Sequence, residues 1–290
     1  MASPAVLVLV PGIGGGHPEE PFRVVEESAP ALHVIDQGVT RGDGVFETIG
    51  YFDGSPMNLE PHLARLVRSA GMLSLPVPDL DVLRRAVEAA VAEHEDAPDL
   101  SVRIVLTRGD EGADAPTGWI HVQESADWSQ QRAGIRVAAL DRGVSTGTPA
   151  SSPWLLLGAK TLSYAVNMAA TREARSRGAD DVLFVSSDGY ALEGPTSTLL
   201  VRRGDRFSTT PPWAGVLPGT CVTTVQQHLA SQGMTVDEDL MTVADVAGSD
   251  GAWLLSSTRL AAPITHVDSS ELPVDRELSD TFVAVLSGRD

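Results

Sequence analysis

A lysine in this chain has the surroundings expected of a reactive amine. In Pro153-Trp-Leu-Leu-Leu-Gly-Ala-Lys160-Thr-Leu-Ser-Tyr164-Ala-Val-Asn167 it follows an apolar run and two small residues. Beyond it Leu162, Ala165, Val166, Ala169 and Ala170 recur at helical spacing, and Arg172, Glu173, Arg175 and Arg177 load the end before Gly178. The spacing predicts a helix with Lys160 at or just before its start. Tyr164, one turn further on, then shares a face with the lysine. The positive end of a helix dipole disfavours an ammonium, and burial against residues 155–157 pushes the same way. A lysine held neutral is a nucleophile that can form a Schiff base with a carbonyl.

Other residue types complete a recognisable chemistry. Arg65 stands in His62-Leu-Ala-Arg-Leu66, on an expected helix, and Glu193 stands in a glycine-proline turn, Leu192-Glu-Gly-Pro195. Gly219-Thr220-Cys221 opens an expected helix, where backbone amides bind anions. Ser256-Ser257-Thr258 follows an expected strand and offers hydroxyls. An amine for an aldehyde, a carboxylate for a ring nitrogen and an anion cup for a phosphate are the requirements of pyridoxal phosphate.

The elements that must position these groups read as follows. Ala5-Val-Leu-Val-Leu-Val10 is a first strand, too short to span a bilayer and without the preceding lysine or arginine of a signal peptide. Pro11-Gly-Ile-Gly-Gly-Gly16 reads as a turn, because it lacks the lysine and the serine or threonine of a phosphate loop. Leu32-His-Val-Ile35 reads as a short strand, followed by turns at Asp36-Gln-Gly38 and Arg41-Gly-Asp-Gly44. Residues 45–52 alternate as a strand, and Asp53-Gly54 signals a hairpin. Amphipathic helices are expected at 59–73 and 79–94, and paired strands at 101–107 and 119–123. These elements form an N-terminal α+β domain, residues 1–126, followed by a polar, aperiodic interdomain linker at 127–134. The C-terminal domain, 135–290, holds expected strands at 135–140, 181–186, 197–202, 236–241, 251–256 and 263–267. Beyond the Lys160 helix, it has expected helices at 220–231 and 275–286.

Composition narrows the partners. A chain of 290 residues with net charge -18 lacks the basic face that nucleic acid or an anionic membrane requires. Its single cysteine, Cys221, excludes an intramolecular disulfide and any multi-cysteine zinc site, which fits a cytoplasmic location. A small-molecule substrate is expected, and no metal.

In order and interval, five stretches resemble the fold-type IV pyridoxal-phosphate enzymes. They are Arg41-Gly-Asp-Gly-Val-Phe-Glu-Thr48, His62-Leu-Ala-Arg65-Leu66 with Ser69-Ala70, Ala159-Lys160 with Asn167, Leu192-Glu193-Gly194 with Thr196-Ser197, and Leu217-Pro-Gly219. This group holds branched-chain aminotransferases, D-amino-acid aminotransferases and aminodeoxychorismate lyase, and the resemblance runs from Asp36 to about His266. It implies an α+β, two-domain fold, with a smaller α/β N-terminal domain and a larger barrel-like C-terminal one. It also implies pyridoxal 5'-phosphate as cofactor and a homodimer.

Carried over by position, the resemblance makes Lys160 the catalytic residue that forms the Schiff base, and Glu193 the group that keeps the pyridine nitrogen protonated. Arg65 pairs with the phosphate, helped by the amides of Thr220 and Cys221 and by a hydroxyl of Ser257 or Thr258. Tyr164 hydrogen-bonds the ring oxygen. Arg108, in Thr107-Arg108-Gly109, or Arg103 binds a substrate carboxylate; strand alternation puts the two on opposite faces, so one of them serves. The chain departs from relatives that read Gly-Ile-Thr-Arg after the proline, having Gly219-Thr220-Cys221-Val222 instead. Residues 154–167 and 185–194 are similar to actinobacterial proteins assigned as aminodeoxychorismate lyase, the step that eliminates pyruvate and yields p-aminobenzoate for folate. The alternative expectation is a class IV aminotransferase acting on D-amino or branched-chain acids.

Overall fold

The computed structural model describes residues 4–11, 13–14, 19–94 and 97–289; part of the Pro11 to Gly16 turn therefore lies outside the described residues. Two compact units are present. The first runs to Ala126 and also takes in Ala159–Tyr164; the second comprises Asp127–Gly158 and the chain from Ala165 onward. No helix among the described residues is long and apolar enough to cross a membrane.

The first unit contains β1 (Val6–Leu9), β2 (Arg23–Val25), α1 (Gln37–Arg41), β3 (Gly44–Phe52), β4 (Ser55–Pro56), α2 (Leu59–Met72), α3 (Leu80–Ala92), β5 (Asp99–Thr107) and β6 (Thr117–Glu124). The strands form one antiparallel sheet in the order β2-β1-β6-β5-β3-β4. Alternation along β3, β5 and β6 buries Val45, Glu47, Ile49, Val102, Ile104, Leu106, Ile120 and Val122. Helix α2 meets the Glu47 face and contributes the fully buried Leu63 and Leu66. Phe46, Thr48 and Arg103 point to the opposite face, and Thr48 and Arg103 are register partners. Residues 32–35 form no strand. Instead, the side chain of buried Asp36 accepts from the Gly38 amide (2.8 Å) and caps α1, where a turn was expected. Its other carboxylate oxygen accepts from the Thr107 hydroxyl (2.9 Å), a tertiary contact that local sequence does not announce.

The second unit contains α4 (Ser129–Ala133), β7 (Ile135–Asp141), α5 (Thr148–Ser151), α6 (Ala165–Ser176), β8 (Asp181–Val185), β9 (Glu193–Gly194), β10 (Ser197–Arg203) and β11 (Arg206–Thr209). It continues with α7 (Thr220–Ser231), β12 (Val236–Glu238), α8 (Val243–Ala247), β13 (Gly251–Ser256), β14 (Leu260–Val267), β15 (Ser270–Glu271) and α9 (Arg276–Ser287). The sheet path is β12-β11-β10-β13-β14-β7-β8, with β9 on β10 and β15 on β14. The Leu192 amide donates to the Phe184 carbonyl (2.8 Å), and β9 then pairs with β10, so the far end of the path returns towards its middle. This gives the unit its barrel-like character. The polar segment 127–134 holds the short helix α4, begun where Asp127 accepts from the Ser129 amide (2.8 Å). Arg132 of that helix donates to the carbonyls of Thr258 (3.3 Å) and Arg259 (2.9 Å). A polar helix of this kind has no apolar stripe from which to be read.

Strand β13, which leads into the Ser256 to Thr258 turn, is anchored by Trp253. Its fully buried ring lies edge-on to Phe282 at 5.3 Å, and its indole N–H donates to Ser279 (2.8 Å). Trp253→Ala is expected to lower the unfolding free energy by about 3–5 kcal/mol, the usual cost of emptying such a site, as read from urea denaturation.

Candidate active site

Lys160 does not stand at a helix start, because α6 begins only at Ala165. The segment around the lysine is extended and pairs with the beginning of β3. The Phe46 amide donates to the Lys160 carbonyl (3.1 Å), the Leu162 amide donates to the Gly44 carbonyl (2.8 Å), and Thr161 bridges Val45. The Lys160 amide donates to the Ser69 hydroxyl of α2 (3.1 Å). Backbone pairing thus claims the groups that a first helical turn would use, and the helix-dipole argument for a neutral amine does not apply. Leu155, in the apolar run before the lysine, is itself 48% exposed. A Cβ on Gly44 would meet the Leu106 carbonyl and a Leu162 methyl, each at 2.7 Å, so the close approach requires glycine.

Tyr164 shares no helical face with Lys160, yet both reach one aromatic ring. The Lys160 Nζ lies 4.4 Å from the Phe46 centroid, a cation–π distance, and the Tyr164 ring stands edge-on to Phe46 at 5.5 Å. The Arg103 guanidinium lies 6.0 Å from the same centroid. Phe46 therefore gathers an amine, a phenol and a guanidinium.

The two candidate carboxylate-binding arginines part company here. Arg108 is held by Asp43 of the Arg41-Gly-Asp-Gly44 stretch, through Nε (2.6 Å) and Nη2 (3.1 Å), and Nη2 also donates to the Leu73 carbonyl (2.7 Å). The Asp43 hydrogen bond and charge raise its pKa. These bonds join the end of β5 to the start of β3 and the end of α2. Arg103 instead approaches the Phe46 ring that Lys160 also approaches.

The Arg65 side chain is 9% exposed and engages Glu47, which stands in the Arg41-Gly-Asp-Gly-Val-Phe-Glu-Thr48 stretch. Its Nε and Nη2 donate to the two carboxylate oxygens of Glu47 (2.8 and 2.7 Å), a two-point fork. His62 Nδ1 lies 2.7 Å from Glu47 Oε2 and must donate, since an ionised carboxylate only accepts. The 3.3 Å approach of Arg65 Nη2 to that nitrogen is therefore proximity between two donors. Burial by itself raises the Glu47 pKa, but the hydrogen bond and charge of Arg65, then those of His62, outweigh it and bring it down to about 2. Burial lowers His62 despite the pull of Glu47, with the charges of Arg65 and Lys160 acting in the same direction as burial. A charged residue at an inward position of an alternating strand, between Val45 and Ile49, is the signal that marks Glu47 in the sequence.

In the second unit a chain of contacts joins the remaining candidates. Glu193 is the register partner of Thr198, and its Oε2 accepts from the Leu217 amide (3.0 Å). A Cβ on Gly219 would sit 2.3 Å from Thr198 Oγ1, so only glycine allows this approach. Gly219 is the N-cap of α7 and brings no side-chain cap to the first-turn amides, which have no carbonyl acceptor within the helix. Buried Cys221, in that turn, lies 3.8 Å through Sγ from Ser257 Oγ. Asn167 of α6 donates to the Pro195 carbonyl (2.8 Å) and so holds the turn after Glu193. The Thr258 carbonyl accepts from Arg132 (3.3 Å).

Residues 44–267 match the class IV amino-transferase family, and the chain belongs to it. It is 41% identical over 261 residues to a bifunctional aminodeoxychorismate lyase / D-amino acid transaminase of Mycobacterium tuberculosis, covering 86% of this chain and 90% of that one. Its structure is similar to that of a fold IV-transaminase from Curtobacterium pusillum, with 45% identity, TM-score 0.95 and 98% of each chain covered. A PLP-bound hypothetical aminotransferase from M. tuberculosis is 37% identical, with TM-score 0.89 and 98% of each chain covered. The class is one of pyridoxal-phosphate enzymes, and the protein is a lyase or transaminase of that class. The donor set fits the cofactor in kind: Glu193 is a carboxylate held in one orientation, α7 opens on a glycine, and Lys160 offers an amine.

The buried Glu47 and His62 predict an acid-sensitive fold. Both pKa values fall on folding, so their stabilisation is full above the unfolded values and is lost as pH falls. Loss is expected to begin near pH 6.5 with His62 and to steepen between about 4.5 and about 2 with Glu47, the latter amounting to roughly 3 kcal/mol. Urea midpoints measured across this range check the profile, and Glu47→Gln is expected to flatten its lower window.

Proposed function

We propose that the protein is an aminodeoxychorismate lyase that releases pyruvate and p-aminobenzoate, acts as a homodimer and also transaminates D-amino acids. The geometry that carries the reading of an amine-bearing carboxylate substrate is the grouping of Lys160 and Arg103 on the Phe46 ring. The preference for the lyase is supported by the 41% identity to a relative named for both activities. When bound, pyridoxal phosphate supplies an aldehyde for the substrate amine and a ring that accepts electron density.

Each residue then has a task. Lys160 removes the proton from the amine-bearing carbon and returns it to the departing pyruvate, serving as base and then acid. Glu193, its Oε2 fixed by the Leu217 amide, keeps the ring nitrogen protonated. Arg65, the amides of Thr220 and Cys221, and the hydroxyl of Ser257 or Thr258 hold the phosphate, and Tyr164 holds the ring oxygen. Arg103 orients the substrate carboxylate. The homodimer is what the resemblance to the fold-type IV enzymes implies. Transamination of D-amino acids uses the same proton transfer at Lys160; the M. tuberculosis relative named also for that activity supports it, and the likeness to the C. pusillum enzyme supports transamination in general.

Incubation with aminodeoxychorismate and no amino acceptor is expected to give p-aminobenzoate and pyruvate in equal amounts. Absence of both, with keto acid formed from D-alanine once an acceptor is supplied, would leave the protein a transaminase alone. Arg103→Gln is expected to raise KM for D-alanine about tenfold with a smaller change in kcat. Arg108→Gln should instead lower stability, and steady-state kinetics beside thermal melts separate the two.

A further inference from the structure

Glu47 is the feature of the first unit that the proposed reaction does not use. A carboxylate at 0% exposure is costly, and replacing a buried ionic cluster with apolar side chains of similar volume is often neutral or stabilising. Stability alone is therefore a weak reason for Glu47, His62 and Arg65 to be built into the junction of β3 and α2. Their geometry offers a different one. Two donors on one edge of the Arg65 plane meet two acceptors of Glu47, which fixes both the direction and the rotation of a planar guanidinium. Glu47 is itself fixed, since Oε2 receives the second hydrogen bond from His62, also at 0% exposure. The edge of Arg65 that carries Nη1 consequently points away from Glu47.

We propose that Glu47 is a positioning residue for cofactor phosphate: it holds Arg65 in the one orientation from which the opposite edge of the guanidinium meets the phosphate, and His62 holds Glu47. This rests on the reading of Arg65 as a phosphate ligand. Glu47 also neutralises much of the Arg65 charge, so the value of the arginine here lies in directed hydrogen bonds. Glu47→Gln tests the two effects against each other. A glutamine amide accepts at one atom and donates at the other, so it cannot complete the fork. Loss of positioning weakens phosphate binding, whereas loss of the negative charge alone would strengthen it.

The measurement is the dissociation constant of pyridoxal phosphate and of pyridoxal, which lacks the phosphate, for the full chain freed of cofactor, followed by tryptophan fluorescence. Phosphorus NMR of the loaded protein accompanies it. Glu47→Gln is expected to weaken pyridoxal phosphate about tenfold or more, leave pyridoxal within about twofold and shift the phosphorus resonance. Equal weakening of both ligands would make Glu47 merely structural, and unchanged or tighter phosphate binding would overturn the proposal outright. Arg65→Lys is run in parallel. If it leaves the ratio of the two affinities unchanged, the reading of Arg65 as a phosphate ligand fails; if it alters the ratio and Glu47→Gln does not, only the positioning role fails. Should Glu47→Gln not fold, Glu47→Asp, whose shorter side chain withdraws the fork while keeping the charge, must show the same selective loss.

Discussion

The first unit depends on one backbone pairing: residues 160–162 lie against the opening of β3. The Lys160 carbonyl and the Leu162 amide are both taken up by that strand, and Gly44 leaves room there for the Leu106 carbonyl and the Leu162 side chain. The same strand sends Phe46 outward, to Lys160, Tyr164 and Arg103, and Glu47 inward, to Arg65 and His62. Successive residues of a strand face opposite ways, so a single short stretch serves the amine on one face and the buried arginine on the other. The chain between the Ala126 boundary and Ala159 belongs to the second unit, so the lysine segment is a late return of sequence to an early sheet.

The charge cluster on the inward face is held together by mutual satisfaction. Glu47 accepts from both Arg65 and His62, and burial pushes the His62 pKa down. Such a cluster is costly when any member is missing, which is why its stability is tied to pH. Arg108 shows how the same residue type is used differently when its partner sits elsewhere. With Asp43 and the Leu73 carbonyl on its guanidinium, it ties three elements together.

The second unit solves a related problem by close approach. Thr198 packs where Gly219 has no side chain, so the start of α7 comes up to the β9–β10 turn that carries Glu193. Cys221 stands where similar enzymes are expected to have a polar side chain, and it meets Ser257 through sulfur. On the proposed reading, the part of the anion cup supplied by backbone amides does not depend on that side chain.

Much of this protein is legible in its residues alone. Period-two alternation marks β3, β5 and β6, and apolar stripes mark α2, α3, α7 and α9, because each of these elements buries one face and shows the other. The ordered motifs around Arg41, Arg65, Lys160, Glu193 and Gly219 identify the family, since their types and intervals are properties of the chain. Tertiary structure decided what periodicity cannot express. Residues after Lys160 have helical spacing, yet α6 begins only at Ala165, because Thr161 and Leu162 pair instead with the distant strand β3. Residues 32–35 look like a strand, yet they give way to a helix capped by Asp36, whose carboxylate is fixed by Thr107 across the unit. Arg103 and Arg108 also part in the fold, since Arg108 meets Asp43 and Arg103 lies beside Phe46. These are competitions between local preference and a partner far away in the chain, and only the folded state brings that partner within hydrogen-bonding reach.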